Sequence, residues 1–254
     1  MSTRNADIDY DSNEALEISK DAFKKKKCLY DIYSETYREM MKQKNKHLTE
    51  GNTILEIGSG GGFIKEIYPF IITSDVRESD ADIVVNAEHL PFEDEQLGAI
   101  FALHCIHHIP NIELFFNEAL RVLKPGGGIV CVEPYWSPVA RYLYKKHHPE
   151  PFDENAKGWI LADPSGPMSG SNQALSYILL KRDKNRFASE FPRFKSIRGK
   201  RFGFIRYFCT GGLWKKQKLP DFFFPIMKVL EVVLTPLMPL FAIHHLFIIK
   251  KTER

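Results

Sequence analysis

The chain has 254 residues, of which 44% are hydrophobic, and 35 Lys and Arg stand against 32 Asp and Glu. This length fits one α/β domain with additional elements, or two small domains at most, and the ordinary apolar fraction excludes disordered, collagen-like and low-complexity classes. A formal net charge of +3 is too small to argue for a nucleic-acid partner, whereas a membrane surface or an acidic substrate stays open.

Cysteine usage and the N-terminal composition bear on metal binding and on location. None of the four cysteines belongs to a CxxC pair or to a Cys/His cluster: Cys28, Cys105, Cys131 and Cys209. This spacing predicts neither a structural zinc site nor a disulfide framework, and we expect no metal. Residues 1–20 are polar and acidic and lack the apolar core of a secretory signal, so we expect a cytoplasmic location.

The first predicted unit is residues 1–49, a polar tail followed by a helical cap. Residues 14–48 are rich in Lys, Glu, Tyr and Met and contain neither Pro nor Gly, which favours helices. Tyr30 and Tyr33 in this stretch either fold over a ligand as a lid or pack between helices. Residues 50–254 form the second predicted unit.

Short apolar runs alternate with helical patterns from Thr53 onward. Strands are predicted at 53–57, 70–74, 82–85, 99–103 and 129–132. A helix is predicted at 111–123, because apolar residues recur there at helical spacing and a Lys-Pro-Gly-Gly stop follows. The alternation predicts an α/β, Rossmann-like fold whose mostly parallel sheet is covered by helices on both faces.

The regular alternation ends after the strand at 129–132. Residues 134–192 begin with many Pro, Gly, Trp, Tyr and His residues, a composition that suits an insertion or lid over an active site. Strands are predicted again at 194–204 and 243–250. The final segment, 220–254, is therefore interpreted as an apolar helix followed by the last strand.

The most informative segment is Glu56-Ile57-Gly58-Ser59-Gly60-Gly61-Gly62, in which a strand runs into a glycine-rich turn. Such glycines adopt backbone angles that other residues avoid, and they let a ligand approach the main chain closely. A dinucleotide fingerprint would need glycine where Phe63 stands. The carboxylate of Glu56 would repel a pyrophosphate but can hold an ammonium group.

Three later segments follow this turn in order. Asp75 ends the second predicted strand, residues 86–92 read Asn-Ala-Glu-His-Leu-Pro-Phe, and residues 107–127 contain His-His-Ile and then Glu-Ala-Leu-Arg-Val-Leu-Lys-Pro-Gly-Gly. Together with the turn they resemble class I S-adenosylmethionine-dependent methyltransferases. The last segment resembles the small-molecule branch (methyltransferase type 11), which includes ubiquinone- and menaquinone-biosynthesis enzymes. The resemblance covers residues 50–134 and implies a seven-stranded sheet with an antiparallel final strand.

The resemblance also implies the cofactor, S-adenosyl-L-methionine, and the residues that bind it. Glu56 would hold the ammonium group and Asp75 the two ribose hydroxyls. The implied cofactor-binding residues are Glu56, Gly58, Ser59, Gly60, Gly62, Asp75, Val76, Asn86, Ala87, Leu103 and His104. The chain departs from the family pattern where Asn86 replaces an acid beside the adenine and where Gly98 replaces an acid before the fourth strand.

Methyl transfer to a hydroxyl is helped by a general base that titrates near neutral pH, and histidine is the usual choice. His107 and His108 follow the fourth predicted strand, at the sheet edge where open α/β folds bind ligands. We expect His108 to be the base, with His107 as the second candidate. The alternative is that both only cap and pack the next helix. Tyr135 and Trp136 are expected in the acceptor-pocket wall.

The acceptor is expected to be a small molecule. Residues 133–136 lack the Asn/Asp-Pro-Pro-aromatic element of enzymes that methylate base amino groups, so we expect no nucleic-acid partner. A phenol, a quinone precursor, a lipid-linked sugar or a glycolipid fits the aromatic insertion, with methylation on oxygen or carbon. Two other hypotheses stay open: a non-catalytic S-adenosylmethionine-binding module and a nicotinamide-dependent oxidoreductase. No oligomeric state is predicted.

The stretch 232–249 has no formal charge and is flanked by lysines, so its length and flanks reach the threshold for a membrane-spanning helix. Pro236, Pro239, His244 and His245 interrupt it. We therefore expect a helix packed on the domain and then the last strand. The alternative is an interfacial segment that gives peripheral contact with the inner face of an anionic membrane.

Overall fold

The computed structural model describes residues 9–49, 51, 53–203 and 205–253. Seven strands form one sheet: β1 Ile54–Ile57, β2 Ile72–Asp75, β3 Ile83–Val84, β4 Leu97–Leu103, β5 Leu123–Pro134, β6 Phe194–Phe202 and β7 His244–Lys251. The spatial order is β3-β2-β1-β4-β5-β7-β6, with β1 to β5 parallel and β7 antiparallel to both its neighbours. The predicted Rossmann-like architecture is confirmed, including its antiparallel final strand.

Helices lie on both sides of this sheet. They are α1 Asn13–Lys25, α2 Lys27–His47, α3 Ile112–Val122, α4 Pro138–His147, α5 Leu175–Tyr177, α6 Lys184–Glu190, α7 Ile205–Thr210, α8 Phe224–Val233 and α9 Met238–Phe241. Short 3₁₀ turns occur at Phe63–Glu66, Ile106–His108, Asp221–Phe223 and Thr235–Leu237. A π-helical segment, Ile178–Arg182, continues α5.

The central strands are buried on both faces, as their near-continuous apolar sequences predict. One face packs against α3 and the segment around α5 and α6, through a cluster that contains Phe115, Phe116 and Leu179. The other face packs against α2, through a cluster that contains Tyr37 and Met40. The sheet is thus enclosed between two cores, and its carboxyl-end edge is left for a ligand.

Glu118 and Arg121 of α3 hold the loop that follows β3 in place. Arg121 donates through its terminal guanidinium nitrogens to the carbonyl oxygens of Leu90 and Phe92. Glu118 accepts from the backbone N–H of Leu90 and pairs with Arg121 at 2.8 Å. Because bidentate arginine pairs fix orientation, these two residues hold the loop in place beside the sheet edge. Within the segment Glu-Ala-Leu-Arg-Val-Leu-Lys-Pro-Gly-Gly, Glu118 and Arg121 therefore have a structural role.

Several boundaries differ from the sequence predictions. β5 begins at Leu123, because Leu97 of β4 pairs with Leu123 before a register shift, so the Lys-Pro-Gly-Gly stop lies inside the strand. Only a 3₁₀ turn follows the glycine-rich segment. Residues 1–8 of the predicted tail, residue 50 at the predicted unit boundary and residue 204 of the predicted strand lie outside the described residues.

Helix α8 does not pack as expected. Eight large apolar side chains in and beside it are 45–69% exposed: Phe222, Ile226, Val229, Leu230, Val232, Val233, Leu237 and Leu240. Its charged residues instead face the protein, since Glu231 pairs with Arg206 at 2.7 Å and Lys228 pairs with Glu35 at 2.7 Å. The apolar face of α8 is thus exposed, whereas Met238 and Ala242 after it are buried in a small cluster with Tyr135.

The described part of the chain holds no single helix that meets the length and hydropathy of a membrane span. One helix pair, Asp221–Val233 with Thr235–Phe241, meets them jointly but bends by 63°.

Candidate functional site

A cavity of about 570 Å³ opens at the carboxyl ends of β1, β2 and β4. This is where open α/β sheets bind their ligands. Nine of the predicted cofactor-binding residues line it: Gly58, Ser59, Gly60, Asp75, Val76, Asn86, Ala87, Leu103 and His104. Of the two predicted bases, His108 lines the cavity. Residues from five separate parts of the sequence are thus brought together.

The glycine-rich turn passes directly under the cavity. Gly58 and Gly60 have φ values of +64° and +53°, in the left-handed region that glycine tolerates. A Cβ on Gly58 would lie 2.5 Å from Sγ of Cys105, so a larger residue at this position would force the Cys105 side chain to move. The Ser59 N–H donates to the Ser74 carbonyl oxygen at 2.8 Å, which ties the turn to β2. Gly62 lies outside the cavity lining and starts the 3₁₀ turn.

Glu56 is buried behind this turn. One of its carboxylate oxygens, Oε1, accepts a hydrogen bond from the Tyr37 hydroxyl at 2.6 Å. The other, Oε2, is buried without a hydrogen-bond partner among the described residues. Burial raises the pKa of Glu56 to about 7, and the charge of Asp75 adds to this effect, whereas the hydrogen bond from Tyr37 opposes it. A cationic group at Oε2 would satisfy the unpaired oxygen.

Asp75 and Asn86 stand at the ends of neighbouring strands. Oδ2 of Asp75 accepts from the Gly60 N–H at 2.9 Å, and Oδ1 accepts from the backbone and side chain of Arg77. These bonds fix the carboxylate in the cavity wall. Oδ1 of Asn86 accepts from the Glu88 N–H at 2.9 Å, so the amide forms a local turn beside the cavity.

His104 has an unusual backbone for a residue other than glycine, with φ of +52°. Its N–H donates to the Val132 carbonyl oxygen, and its ring centroid lies 4.4 Å from that of His244. Burial lowers the pKa of His104 to about 4 even though Glu133 opposes this, so the ring is neutral near pH 7. His104 therefore offers the cavity an uncharged ring.

His107 is buried between two carboxylates and does not line the cavity. Its Nδ1 contacts Oε2 of Glu133, and its Nε2 lies 3.3 Å from Oε2 of Glu150. Burial disfavours the charged ring, but the two carboxylates outweigh it and raise the pKa of His107 to about 10. Glu133 is itself held by the N–H groups of Cys105 and Ile106. A protonated ring in this position has no free nitrogen to accept a proton.

His108 lies in the cavity wall, but both its ring nitrogens face protein groups. Nδ1 lies 3.2 Å from the Gly170 carbonyl oxygen, and Nε2 lies 3.7 Å from Oε2 of Glu150. Burial, together with the neighbouring charge of His107, lowers the pKa of His108 to about 4. The base role predicted for His108 stays a hypothesis, and it would require one nitrogen to turn toward an acceptor.

Other cavity residues were not predicted from the sequence. Leu16, Ser19 and Phe23 of α1 and Met168 of the insertion line it, and Asp11 accepts from the Met168 N–H at 2.6 Å. No local motif marks these residues, because they reach the cavity only through tertiary folding. Glu133 could have been singled out from the sequence, because it is an acid at the end of an otherwise apolar strand, although this is a weak indication of a functional residue.

The aromatic residues singled out earlier have mixed positions. Tyr33 lines the cavity, whereas Tyr30 packs edge-on against Phe63. Tyr135 and Trp136 were expected in the wall of the acceptor pocket, but neither lines the cavity. They pack on each other and on His245, because β7 lies beside the end of β5.

Comparisons with known proteins agree with this geometry. Residues 55–131 match the family described as a methyltransferase domain. The match covers 77 of the 254 residues. The matched residues include most of β1, the glycine-rich turn, Asp75 and both candidate histidines.

Curated relatives match the chain over short stretches. The ubiquinone/menaquinone biosynthesis C-methyltransferase of Bartonella tribocorum is 47% identical over 51 residues, 20% of this chain and 20% of the relative. That of Bartonella bacilliformis is 37% identical over 82 residues, 32% of this chain and 28% of the relative. The chain thus spans less than a third of the length of either relative.

Solved structures resemble the whole chain more loosely. The YcgJ protein from Bacillus subtilis has a TM-score of 0.48 and 15% identity, covering 86% of this chain and 100% of its own. A possible histamine N-methyltransferase from Thermotoga maritima has a TM-score of 0.48 and 14% identity, covering 91% of this chain and 99% of its own.

Proposed function

We propose that this chain is an enzyme that transfers a methyl group from S-adenosylmethionine to a small-molecule acceptor held in the same cavity. One observation carries the proposal: Glu56 is buried beneath a glycine-rich turn with one carboxylate oxygen unpaired. A buried carboxylate without a partner is costly unless a ligand supplies one. The ammonium group of the cofactor is such a partner.

The residues present fit this cofactor. Glu56 would hold the ammonium group, and Gly58 to Gly60 would let the main chain approach the ligand. Asp75, fixed by Gly60 and Arg77, would accept hydrogen bonds from the ribose hydroxyls. Asn86 and Ala87 would lie beside the adenine, with Val76, Leu103 and His104 completing the wall. Gly62 would act indirectly, by shaping the turn.

The protein's part in the chemistry is to position the reactants and to exclude water. When bound, the cofactor supplies an electrophilic methyl group, so the protein need not create one. Side chains of α1 line one wall of the cavity, and the Asp11 bonds to the N–H groups of Met168 and Ser169 hold the insertion beside it. Orientation inside a closed cavity lowers the entropic part of the barrier.

The proposed acceptor is an apolar or aromatic small molecule. Phe23, Ile109 and Met168 contribute apolar surface to the cavity. The matched relatives are named as C-methyltransferases of ubiquinone/menaquinone biosynthesis, which supports a phenol or quinone precursor. A lipid-linked sugar or glycolipid is the second candidate class, and it is favoured by the exposed apolar face of α8.

Calorimetry with S-adenosylhomocysteine tests the proposal. Asp75→Ala should weaken binding by ~1–3 kcal/mol, or about 5- to 150-fold, because the ribose hydroxyls lose their acceptor. Glu78→Ala removes an exposed acid from the same loop and should leave affinity unchanged. Thermal unfolding shows that each variant is folded. Equal affinity of Asp75→Ala and the unaltered protein would refute the ribose assignment.

Turnover separates the remaining functional hypotheses. Incubation with methyl-labelled cofactor and a cell extract should place label in the small-molecule or lipid fraction. Binding of S-adenosylhomocysteine without any labelled product would instead favour a non-catalytic binding module. Quenching or enhancement of NADH fluorescence at low protein concentration would favour the oxidoreductase hypothesis.

We further propose that the exposed face of α8 contacts an anionic membrane surface, which would place the protein at the inner face of a membrane. The helix turns Lys228 and Glu231 toward the protein and its apolar side chains outward. Lys216 and Lys218 are exposed nearby, before the helix begins. Apolar side chains that insert among acyl chains, next to lysines that meet anionic headgroups, are typical of interfacial helices.

A further inference from the structure

Two histidines and a glutamate converge beside the cavity without any sequence motif that joins them. His107 and His108 belong to the turn Ile106–His108 after β4, whereas Glu150 follows α4 in the insertion. One ligand atom of each residue lies within 4.8 Å of the other two. His107 is 3% exposed, His108 10% and Glu150 18%, so the three groups meet in a largely dry place.

The two rings are oriented alike. Each presents Nε2 to Oε2 of Glu150, at 3.3 Å for His107 and 3.7 Å for His108. Each turns Nδ1 to a protein acceptor, which is the carboxylate of Glu133 for His107 and the Gly170 carbonyl oxygen for His108. Histidines that ligate metals are held in this way, with the outer ring nitrogen bonded to a carboxylate or a backbone carbonyl.

The separations also suit a metal. With bonds of about 2.0–2.2 Å, neighbouring nitrogen and oxygen ligands of a tetrahedral zinc ion lie roughly 3.3–3.5 Å apart. The two separations of 3.3 and 3.7 Å from Glu150 are close to this spacing. The alternative to a metal site is a salt bridge between Glu150 and one protonated histidine. A salt bridge of this kind does not explain why the second histidine also points its Nε2 at the same oxygen atom.

A neighbouring side chain, Gln173, holds the carboxylate of Glu150 in position. Gln173 is buried and donates through Nε2 to Oε2 of Glu150 at 2.8 Å. The same Nε2 lies 2.7 Å from Nδ1 of His148. Oε1 of Gln173 is buried without a hydrogen-bond partner among the described residues. An unpaired amide oxygen is thus available at the edge of the cluster.

We propose that His107, His108 and Glu150 form a binding site for a divalent transition-metal ion such as Zn²⁺ in the wall of the cavity. Two imidazoles and one carboxylate are the ligand set of many such sites, and they leave at least one coordination position open. His108 lines the cavity, whereas His107 and Glu150 do not, so the proposed site lies beside the space proposed for the acceptor.

Charge balance agrees with an ion at this place. Glu133 and Glu150 bring two negative charges into the interior, and the ion pairs described for them are with histidine. A divalent cation with both rings neutral gives a cluster with no net charge.

Metal analysis of the full chain, purified without a polyhistidine tag, tests the site. After chelator treatment, titration with Zn²⁺ against a competing chromophoric chelator should give one tight site per chain. Co²⁺ in its place should produce the visible absorption bands of a metal bound to nitrogen and oxygen. Glu150→Gln should weaken Zn²⁺ binding by more than the ~10–100-fold that is usual for loss of an outer partner.

Matched variants make the result decisive. His108→Gln should lose the site as well, and it serves as the second variant if Glu150→Gln does not fold. His89→Gln, an exposed histidine on another loop, should bind Zn²⁺ like the unaltered protein. No tight site in the unaltered protein, or equal affinity in a folded Glu150→Gln or His108→Gln, would overturn the proposal.

Affinity for S-adenosylhomocysteine, measured on the same metal-free samples, should not change with Glu150→Gln. Failure of the metal proposal is therefore distinguishable from failure of the methyltransferase proposal.

Discussion

Glu56 combines two opposing requirements at one residue. It must be buried to sit beneath the glycine-rich turn, and it must be charged to attract a cation. Tyr37 stabilises one oxygen with a hydrogen bond, but burial still raises the pKa of the carboxyl to about 7. In the ligand-free protein near neutral pH, Glu56 is therefore close to half ionised.

Cofactor affinity should accordingly depend on pH. The pKa of Glu56 is raised from 4.5, so below pH 7 the carboxyl is mostly protonated and neutral, and a bound ammonium group must displace the proton. Affinity for S-adenosylhomocysteine should be constant above about pH 8 and fall by up to roughly tenfold per unit below pH 7. Calorimetry from pH 5.5 to 8.5 measures this.

Glu56→Gln is the control for this pH dependence. The amide has nearly the same shape as the carboxyl group, and it carries no titratable proton. This variant should bind weakly at every pH, with no change through pH 7. An unaltered protein whose affinity stays flat between pH 5.5 and 8 would contradict the assignment of the ammonium group to Glu56.

Which site residues could be predicted depends on how far apart they lie in the chain. Gly58 and Gly60 belong to one turn directly after β1, and Asp75 ends the adjacent strand, so sequence order alone locates them. Glu150 and Met168 come from the insertion, whose path over the sheet edge no local pattern encodes. The expectation of no metal rested on spacing in the sequence, which does not show that folding brings His107, His108 and Glu150 together.

At the scale of elements, α8 departs most from expectation. Short apolar runs bounded by Gly, Pro and Asp predicted the strands well, because a parallel sheet buries both faces of each strand. The same reasoning failed for α8, because hydropathy reports a preference for an apolar environment without saying which one. Here Arg206 pairs with both Glu35 and Glu231, and these bonds fasten the polar side of the helix to the protein.

Two acidic substitutions on the exposed face of α8 test the membrane proposal. Ile226→Glu with Val233→Glu should reduce binding to vesicles of anionic phospholipid by at least about 100-fold, because each apolar side chain loses ~1.5–3 kcal/mol of burial. Co-sedimentation measures the bound fraction. Tyr142→Glu, which changes an equally exposed residue on α4, should bind like the unaltered protein. Equal sedimentation of the double variant would contradict the proposal.

At the scale of the whole molecule, the cofactor would join parts that the chain alone connects loosely. The cavity is lined by α1, the glycine-rich turn, the ends of β2 and β4, the insertion and residues 213–214. The carboxylate of Asp80 is exposed, so its ion pair with Lys20 of α1 adds little to holding these parts together. A ligand that contacts several of them stabilises the folded state as a unit.

Saturating S-adenosylhomocysteine should therefore raise the unfolding temperature. At a hundred times the dissociation constant, binding contributes about 2.7 kcal/mol, which corresponds to a rise of roughly 5–10 °C for a chain of this size. Differential scanning fluorimetry measures it, with adenosine monophosphate as the control nucleotide. No shift at that concentration would contradict a preformed cofactor site.

The sheet is completed by its last strand in sequence, and this ordering matters for biosynthesis. β6 is made before β7, yet in the sheet it lies beyond β7 and pairs with it. While a ribosome is still adding residues 203–243, β1 to β5 can already assemble. The nascent β6 has no strand to pair with until β7 has been synthesised. Substitutions that slow the docking of β7 should consequently lower the yield of folded protein and leave the ligand affinity of the molecules that do mature unchanged.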